Sequence, residues 1–196
     1  MPYSSDDQPL LPIPEKFEVM ELITELKISY GWFHKMYYVF AVFCLFWNGF
    51  LVMFYVLLFS SGFSNAEVGW LTVCFPLIHV FAGLAFGYYT LCGFINKTTV
   101  TIDIYDITIE HHPLPWPGQR TIDKKTVDQL YVTQKISRNN KNGSSTTSYE
   151  VYAILKSGKS MALLKGLHSA QEAQFIEQKM ERFLNIEDRP VMGEHK

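Results

Sequence analysis

Two adjacent histidines, His111 and His112, are the side chains of this sequence best suited to bind a metal. They end a stretch, residues 98–113, in which polar and apolar residues alternate as they do in β-strands. Neighbouring residues on a strand point to opposite faces, so we do not expect the two imidazoles to share one metal. The three cysteines fall inside long apolar runs, without the spacing of metal ligands. We therefore predict neither a metal centre nor a cofactor.

Sequence motifs for catalysis are also missing. Serine, threonine and aspartate are frequent, but the sequence contains no nucleophile elbow, phosphate-binding loop or pair of zinc-ligand motifs. Residues 97–196 carry 14 Lys and Arg against 12 Asp and Glu, a balance that does not favour binding to nucleic acid. We therefore expect a protein that is not an enzyme and that acts by binding.

Two long apolar runs dominate the first half of the chain. Residues 36–59 contain no charged side chain, and residues 70–95 contain none apart from a possible charge on His79. Each run exceeds the roughly 20 residues that an α-helix needs to cross the hydrocarbon core of a bilayer. The apolar residues surround each segment instead of forming one stripe, which argues against ordinary core helices. We predict a transmembrane helical hairpin in residues 36–96, with spans at about 36–59 and 68–95.

Two polar side chains, Asn48 and His79, lie near the middle of these spans. In an antiparallel hairpin they would sit at similar depth in the membrane. One interpretation is a path for protons or ions, because ionisable groups inside a membrane are often functional. The other is a single hydrogen bond between the helices. We favour the hydrogen bond, since two helices cannot enclose a pore.

Gly83 and Gly87 form a small-xxx-small pattern on the second span. Such a pattern allows another helix to approach closely. The first span is the nearest candidate, so the pattern predicts packing within the hairpin. The alternative is that it receives a helix from another subunit.

The basic residues near the spans predict the orientation of the hairpin. Lys16, Lys27 and Lys35 precede the first span and Lys97 follows the second, whereas the connecting loop has no Lys or Arg. Basic residues are enriched on the cytoplasmic side, so we expect both termini in the cytoplasm.

Residues 1–35 are predicted to form a polar N-terminal arm that contains an amphipathic helix at 15–29. Apolar residues recur there at helical spacing among glutamates. Helices that lie on a membrane surface usually carry Lys and Arg on their polar face. We therefore expect this helix to pack on the protein's own domain or on a partner.

The part of the chain that follows the hairpin, residues 97–186, reads as strands and one terminal helix. We predict two strands in 98–113, a short strand near 120, a long strand at 127–137 and a hairpin at 149–167. An amphipathic helix at 169–186 follows, and residues 187–196 are expected to be a flexible tail. The predicted fold is an α+β membrane protein, with a small β-barrel or bent sheet capped by a C-terminal helix.

This arrangement resembles bacterial membrane proteins that join a short transmembrane hairpin to a pleckstrin-homology-like (PH-like) domain. The resemblance rests on the order of elements and on a strand-entry pattern at Arg120, Ile122, Val127 and Leu130. It implies a multi-pass protein of the bacterial inner membrane that serves as an adaptor. The segment PLPWPGQR, residues 113–120, departs from it by being longer and stiffer.

Five residues are candidates for interaction: Trp116, Arg120, Lys124, Lys125 and Lys135. Trp116 either fills the barrel or is exposed, in contact with the headgroup layer or with a partner. The four basic residues either form a rim that faces anionic lipid or belong to an ordinary solvated surface.

We therefore predict a membrane scaffold, or an accessory or assembly subunit of a larger membrane complex, with the bilayer and other subunits as partners. The alternative is a module that binds anionic lipid or senses stress. A transport role through His79 is a third hypothesis.

Overall fold

The structure, a computed structural model, describes residues 11–60, 70–138, 145–187, 189–191 and 193; for residues 70–73 and 138 it describes only the backbone. The chain divides into two compact units. The helical unit is Gly31–Lys97, and the sheet unit combines Met1–Tyr30 with Thr98–Lys196. The first residues of the predicted arm, the loop between the predicted spans and half of the predicted tail lie outside the described residues.

The helical unit contains α1 (Met36–Ser60) and α2 (Trp70–Ile95). Both helices are long and apolar enough to cross a membrane. Large apolar side chains project outward from both, and Phe46 and Phe81 are among the most exposed. The two predicted helices are thus present. The predicted start of the second span, residues 68 and 69, lies outside the described residues.

The first sheet of the other unit has the strand order β1-β2-β3-β4-β5. Its strands are β1 (Phe17–Glu21), β2 (Leu26–Gly31), β3 (Lys97–Ile102), β4 (Asp106–His112) and β5 (Arg120–Asp123). β1 and β2 are antiparallel, as are β4 and β5. Alternate residues of β2, β3 and β4 are fully buried, so this sheet presents one apolar face to the core.

The second sheet has the strand order β6-β7-β8 and is antiparallel throughout. Its strands are β6 (Val127–Arg138), β7 (Ser145–Leu155) and β8 (Ser160–Leu167). Helix α3 (Ala170–Leu184) follows, and the Ser169 hydroxyl accepts a hydrogen bond from the N–H of Gln171 at its start. Phe175, Ile176 and Met180 of α3 are buried in the core between the sheets, as the amphipathic pattern predicts.

The predicted amphipathic helix at 15–29 is wrong. This segment forms the β1–β2 hairpin, which is part of the sheet unit. Phe17 is buried on β1, and Leu26, Ile28 and Tyr30 are buried on β2 with a period of two. Glu18 on β1 is exposed, whereas Glu21 at the end of β1 pairs with Lys179 of α3. The segment does pack on the protein's own domain, but as strands at the edge of a sheet.

The described residues form two sheets and no closed barrel, so the structure supports only an α+β fold with two apolar helices and two sheets. The stiff segment 113–119 is a loop between β4 and β5, which are neighbours in one sheet. Trp116 in this loop is half-buried and lies outside the core.

Candidate functional site

Trp47, Asn48 and His79 make hydrogen bonds within the helical unit. The indole N–H of Trp47 on α1 donates to the backbone carbonyl of His79 on α2 at 3.3 Å, and the two rings stack at 5.7 Å. The amide nitrogen of Asn48 donates instead to the carbonyl of Cys44, one turn earlier in α1, at 2.9 Å. One hydrogen bond between the helices thus joins Trp47 to His79, a pair that polarity alone does not indicate.

The two glycines of the predicted pattern have different surroundings. A β-carbon at Gly83 would lie 2.7 Å from Oδ1 of Asn48, so the helices are in close contact there. A β-carbon at Gly87 would meet no heavy atom within 4 Å. Gly83 therefore packs on α1, whereas Gly87 lies away from α1.

Gly93 is a packing residue that the sequence analysis missed. A β-carbon there would lie 1.9 Å from the ring of Tyr37. Five of the α2 residues that contact α1 recur at alternating intervals of four and three: His79, Gly83, Phe86, Thr90 and Gly93. This heptad-like spacing is typical of two helices packed at a small angle. It is visible in the sequence and would have identified Gly93.

Arg120 stabilises the fold of the sheet unit. It lies on β5, at the edge of the first sheet, and its guanidinium donates to the backbone carbonyl of Ala162 on β8, at the edge of the second sheet. Its Nε also donates to the carbonyl of Gly118 at 3.3 Å. Arg120 thus links the two sheets where strand pairing is absent.

Lys124 is bound to the turn between β3 and β4. Its ammonium donates to the backbone carbonyl of Asp103 at 2.9 Å, and its own N–H donates to the carbonyl of Tyr105 at 3.0 Å. The carboxylate of Asp103 accepts the N–H groups of Asp106 and Tyr105, both at 2.7 Å. These two hydrogen bonds, helped by Lys124, hold the pKa of Asp103 below its ordinary value. This turn is therefore held by several polar contacts.

Lys135 lies beside a buried carboxylate. Its ammonium is 3.4 Å from Oε1 of Glu150, and the hydroxyl of Tyr152 donates to Oε2 at 2.9 Å. Only 5% of Glu150 is exposed. The bond to the carboxylate raises the pKa of Tyr152, because ionised tyrosine could no longer donate it.

Lys125 is the exception among the predicted basic residues, since its side chain is exposed and has no ionic partner in the described part of the chain. It precedes β6, whereas Lys135 lies far along that strand. At about 3.3 Å per residue, eight residues of β6 separate its start from Lys135 by roughly 26 Å. The structure therefore does not bring the four basic residues together.

The two histidines lie on opposite faces of the first sheet, as strand alternation predicts. Nδ1 of His111 is 3.1 Å from the hydroxyl of Thr98, and Nε2 of His112 is 2.8 Å from the hydroxyl of Thr99. Partial burial, then the charge of Arg120 and then His112 hold the pKa of His111 below its ordinary value. Within the residues described, no three His, Cys, Asp or Glu side chains are grouped closely enough to hold a metal.

Comparison with known proteins adds no assignment. No protein-family model matches this sequence, and no curated protein matches it either.

Proposed function

We propose that this protein is a non-catalytic scaffold, or an accessory or assembly subunit, of a larger complex in the bacterial inner membrane. In this proposal α1 and α2 form the anchor, both termini are cytoplasmic, and the sheet unit is a PH-like domain that binds other proteins. The exposed apolar surface of the helical unit is the observation that carries the proposal.

The outward faces of α1 and α2 fit a lipid environment better than water. Leu45 and Phe46 on α1 and Ile78 and Phe81 on α2 are each at least 68% exposed. Covering each such side chain is worth about 1.5–3 kcal/mol, so water would strongly disfavour this surface. A helix also satisfies its own backbone hydrogen bonds, as a membrane requires.

The contacts that the polar side chains make support a binding role. Arg120, Lys124 and Glu150 are engaged in contacts that stabilise the sheet unit. In the helical unit, Trp47 packs on His79, and α1 and α2 contact each other through aromatic rings such as Phe40 and Phe86 at 5.3 Å. This packing favours an anchor over the transport role once considered for His79.

The PH-like assignment is part of the proposal. Two antiparallel sheets with a C-terminal helix packed in their core are compatible with it. The structure adds a feature that the family resemblance did not include. The first sheet contains β1 and β2, which precede the membrane helices in the sequence.

The alternative role, a module that binds anionic lipid or senses stress, has weaker support. It depended on a common basic rim, whereas Lys124 and Lys135 are engaged within the domain and lie far apart. Among the described lysines of the predicted rim, Lys125 is the candidate for contact with lipid headgroups, since its ammonium makes no ion pair there.

Gentle detergent extraction from native membranes, followed by a blue-native gel and mass spectrometry, tests the proposal. We expect the chain to migrate with a defined set of other membrane proteins. Migration alone, at 22.7 kDa plus bound detergent, would reject the subunit role and favour the lipid-binding module.

A further inference from the structure

Exposed apolar side chains of the sheet unit are concentrated at two neighbouring turns. Among the described residues of this unit, seven large apolar residues are exposed, and five of them lie in or beside these turns. We call them the tip surface: Met20, Leu22, Ile23, Ile104 and Tyr105. Ile23 is fully exposed, and Tyr105 is 64% exposed. The other two, Ile13 and Ile136, lie elsewhere in the sequence.

The strand order places the two turns side by side. β2 and β3 are neighbours, and Ser29 shares a hydrogen bond with Thr99 while Tyr30 bonds to Thr98, which is the antiparallel order. The turn before β2 and the turn after β3 therefore share one end of the sheet. With strands about 4.8 Å apart, the centres of the two turns are about 10 Å apart.

Hydrogen bonds hold both turns, and an ion pair adds to them at the first. In the first, the N–H of Leu22 donates to the carbonyl of Glu25 at 2.7 Å, and Glu21 pairs with Lys179 of α3 at 2.5 Å. In the second, Asp103 and Lys124 bind the turn from both sides. The apolar side chains are thus displayed on ordered backbone, which lowers the entropy lost when a partner binds.

The charge around the tip surface is negative. Residues 18–27 and 103–106 carry five carboxylates and one lysine. Lys27 balances one carboxylate, Lys179 pairs with Glu21, and Lys124 lies near enough to Asp103 to act on its charge. Asp123 and Lys125, at and just after the end of β5, cancel in the charge count. The remaining excess of acid disfavours an anionic lipid surface. It also disfavours a second copy of this chain, because a symmetric contact would oppose like charges.

We infer that the tip surface docks a partner protein through one apolar segment of that partner flanked by Lys or Arg. The inference rests on the proposed scaffold function and names its contact surface. Five side chains form a patch of a few hundred Å², less than the roughly 800 Å² per partner of a stable domain interface. A single segment, such as the apolar face of a basic amphipathic helix, fits this size.

The test uses the full-length protein in its native membrane. Ile23→Glu is compared with Ile136→Glu, a matched change at another exposed isoleucine, and thermal unfolding confirms that both variants fold. We expect Ile23→Glu to reduce the recovery of co-purified partner by about tenfold or more, from lost burial of one isoleucine. Ile136→Glu should leave recovery unchanged. Equal recovery with both variants would overturn the tip surface and leave the scaffold function standing.

A photo-crosslinking amino acid at position 23 identifies the occupant directly. The expected product is one crosslinked partner peptide, apolar and flanked by Lys or Arg. A crosslink to phospholipid, to a second copy of this chain or to an acidic peptide would overturn the inference. If the unmodified protein has no partner in the native gel, the scaffold function itself fails, and the inference fails with it.

Discussion

Arg120 on β5 donates a hydrogen bond to the backbone carbonyl of Ala162 on β8, and this contact joins the edges of the two sheets. A closed barrel would join such edges by a ladder of backbone hydrogen bonds. Here one charged side chain crosses the opening between them. A residue that the sequence suggested for lipid contact therefore has a role in stability.

Replacing Arg120 with Ala should destabilise the sheet unit. Hydrogen bonds to charged groups contribute about 1.5–3 kcal/mol, and we expect a loss of free energy of unfolding in that range. Denaturant unfolding of the purified full-length protein measures it. Lys125→Ala, at an exposed lysine, is the control and should change stability little. Equal stability of the two variants would show that the contact with Ala162 does not support the fold.

Gly93→Ala should loosen the helical unit, because the added methyl group would displace the ring of Tyr37. Overpacking of this kind costs about 1–3 kcal/mol. Gly87→Ala is the matched control, since a β-carbon there meets open space, and its higher helix propensity should preserve stability or raise it slightly. Thermal unfolding in detergent measures the stability of the two variants. A Gly87→Ala protein that is less stable than Gly93→Ala would contradict the observed packing.

His111 should make the stability of the sheet unit depend on pH. Its pKa is lowered in the folded state, so the unfolded chain binds a proton more readily. The stabilisation is complete above the unfolded pKa of about 6.5 and is lost as pH falls through the lower folded pKa. His111→Gln should flatten this dependence in unfolding measured from pH 7.5 to 5. His112→Gln, on the opposite face, should retain it, and the reverse result would refute the assignment.

Charge reversal should affect Lys125 and Lys135, two exposed lysines of the predicted basic rim, differently. Lys135→Glu places a carboxylate beside the buried Glu150, so we expect a loss of about 1–2 kcal/mol in unfolding free energy. Lys125→Glu has no such neighbour among the described side chains and should leave stability unchanged. Liposome binding by both full-length variants provides a second measurement. Loss of binding to anionic vesicles with Lys125→Glu would revive the lipid-binding alternative.

Local patterns predicted the elements whose hydrophobic period is unambiguous. Both apolar helices, the strands from residue 97 to 167 and α3 follow from period and length, although β7 begins at Ser145, four residues before the predicted hairpin. The β1–β2 hairpin did not, because Phe17, Met20 and Ile23 also fit helical spacing. Its strand geometry depends on pairing with β3, since Ser29 on β2 meets Thr99 on β3, 70 residues later and beyond the two apolar helices. That partner is a tertiary contact, and single-segment periodicity does not contain it.

The contacts of the site residues could not be predicted from the sequence either. The sequence identifies Arg120, Lys124 and Lys135 as cations, but their partners lie 42, 21 and 15 residues away. Whether a lysine is free for a ligand depends on those partners. The tip surface was likewise hidden, because Ile23 and Tyr105 become neighbours only through the order of the strands.

The central claim is that α1 and α2 cross the membrane as one hairpin that anchors the sheet unit in the cytoplasm. Labelling of Ser64→Cys and Lys125→Cys variants with a membrane-impermeant maleimide in intact bacterial cells tests it, with the unmodified protein as the background for Cys44, Cys74 and Cys92. We predict labelling at position 64 in intact cells, and at position 125 only after the membrane is permeabilised. Equal accessibility of both positions from one side would contradict the claim.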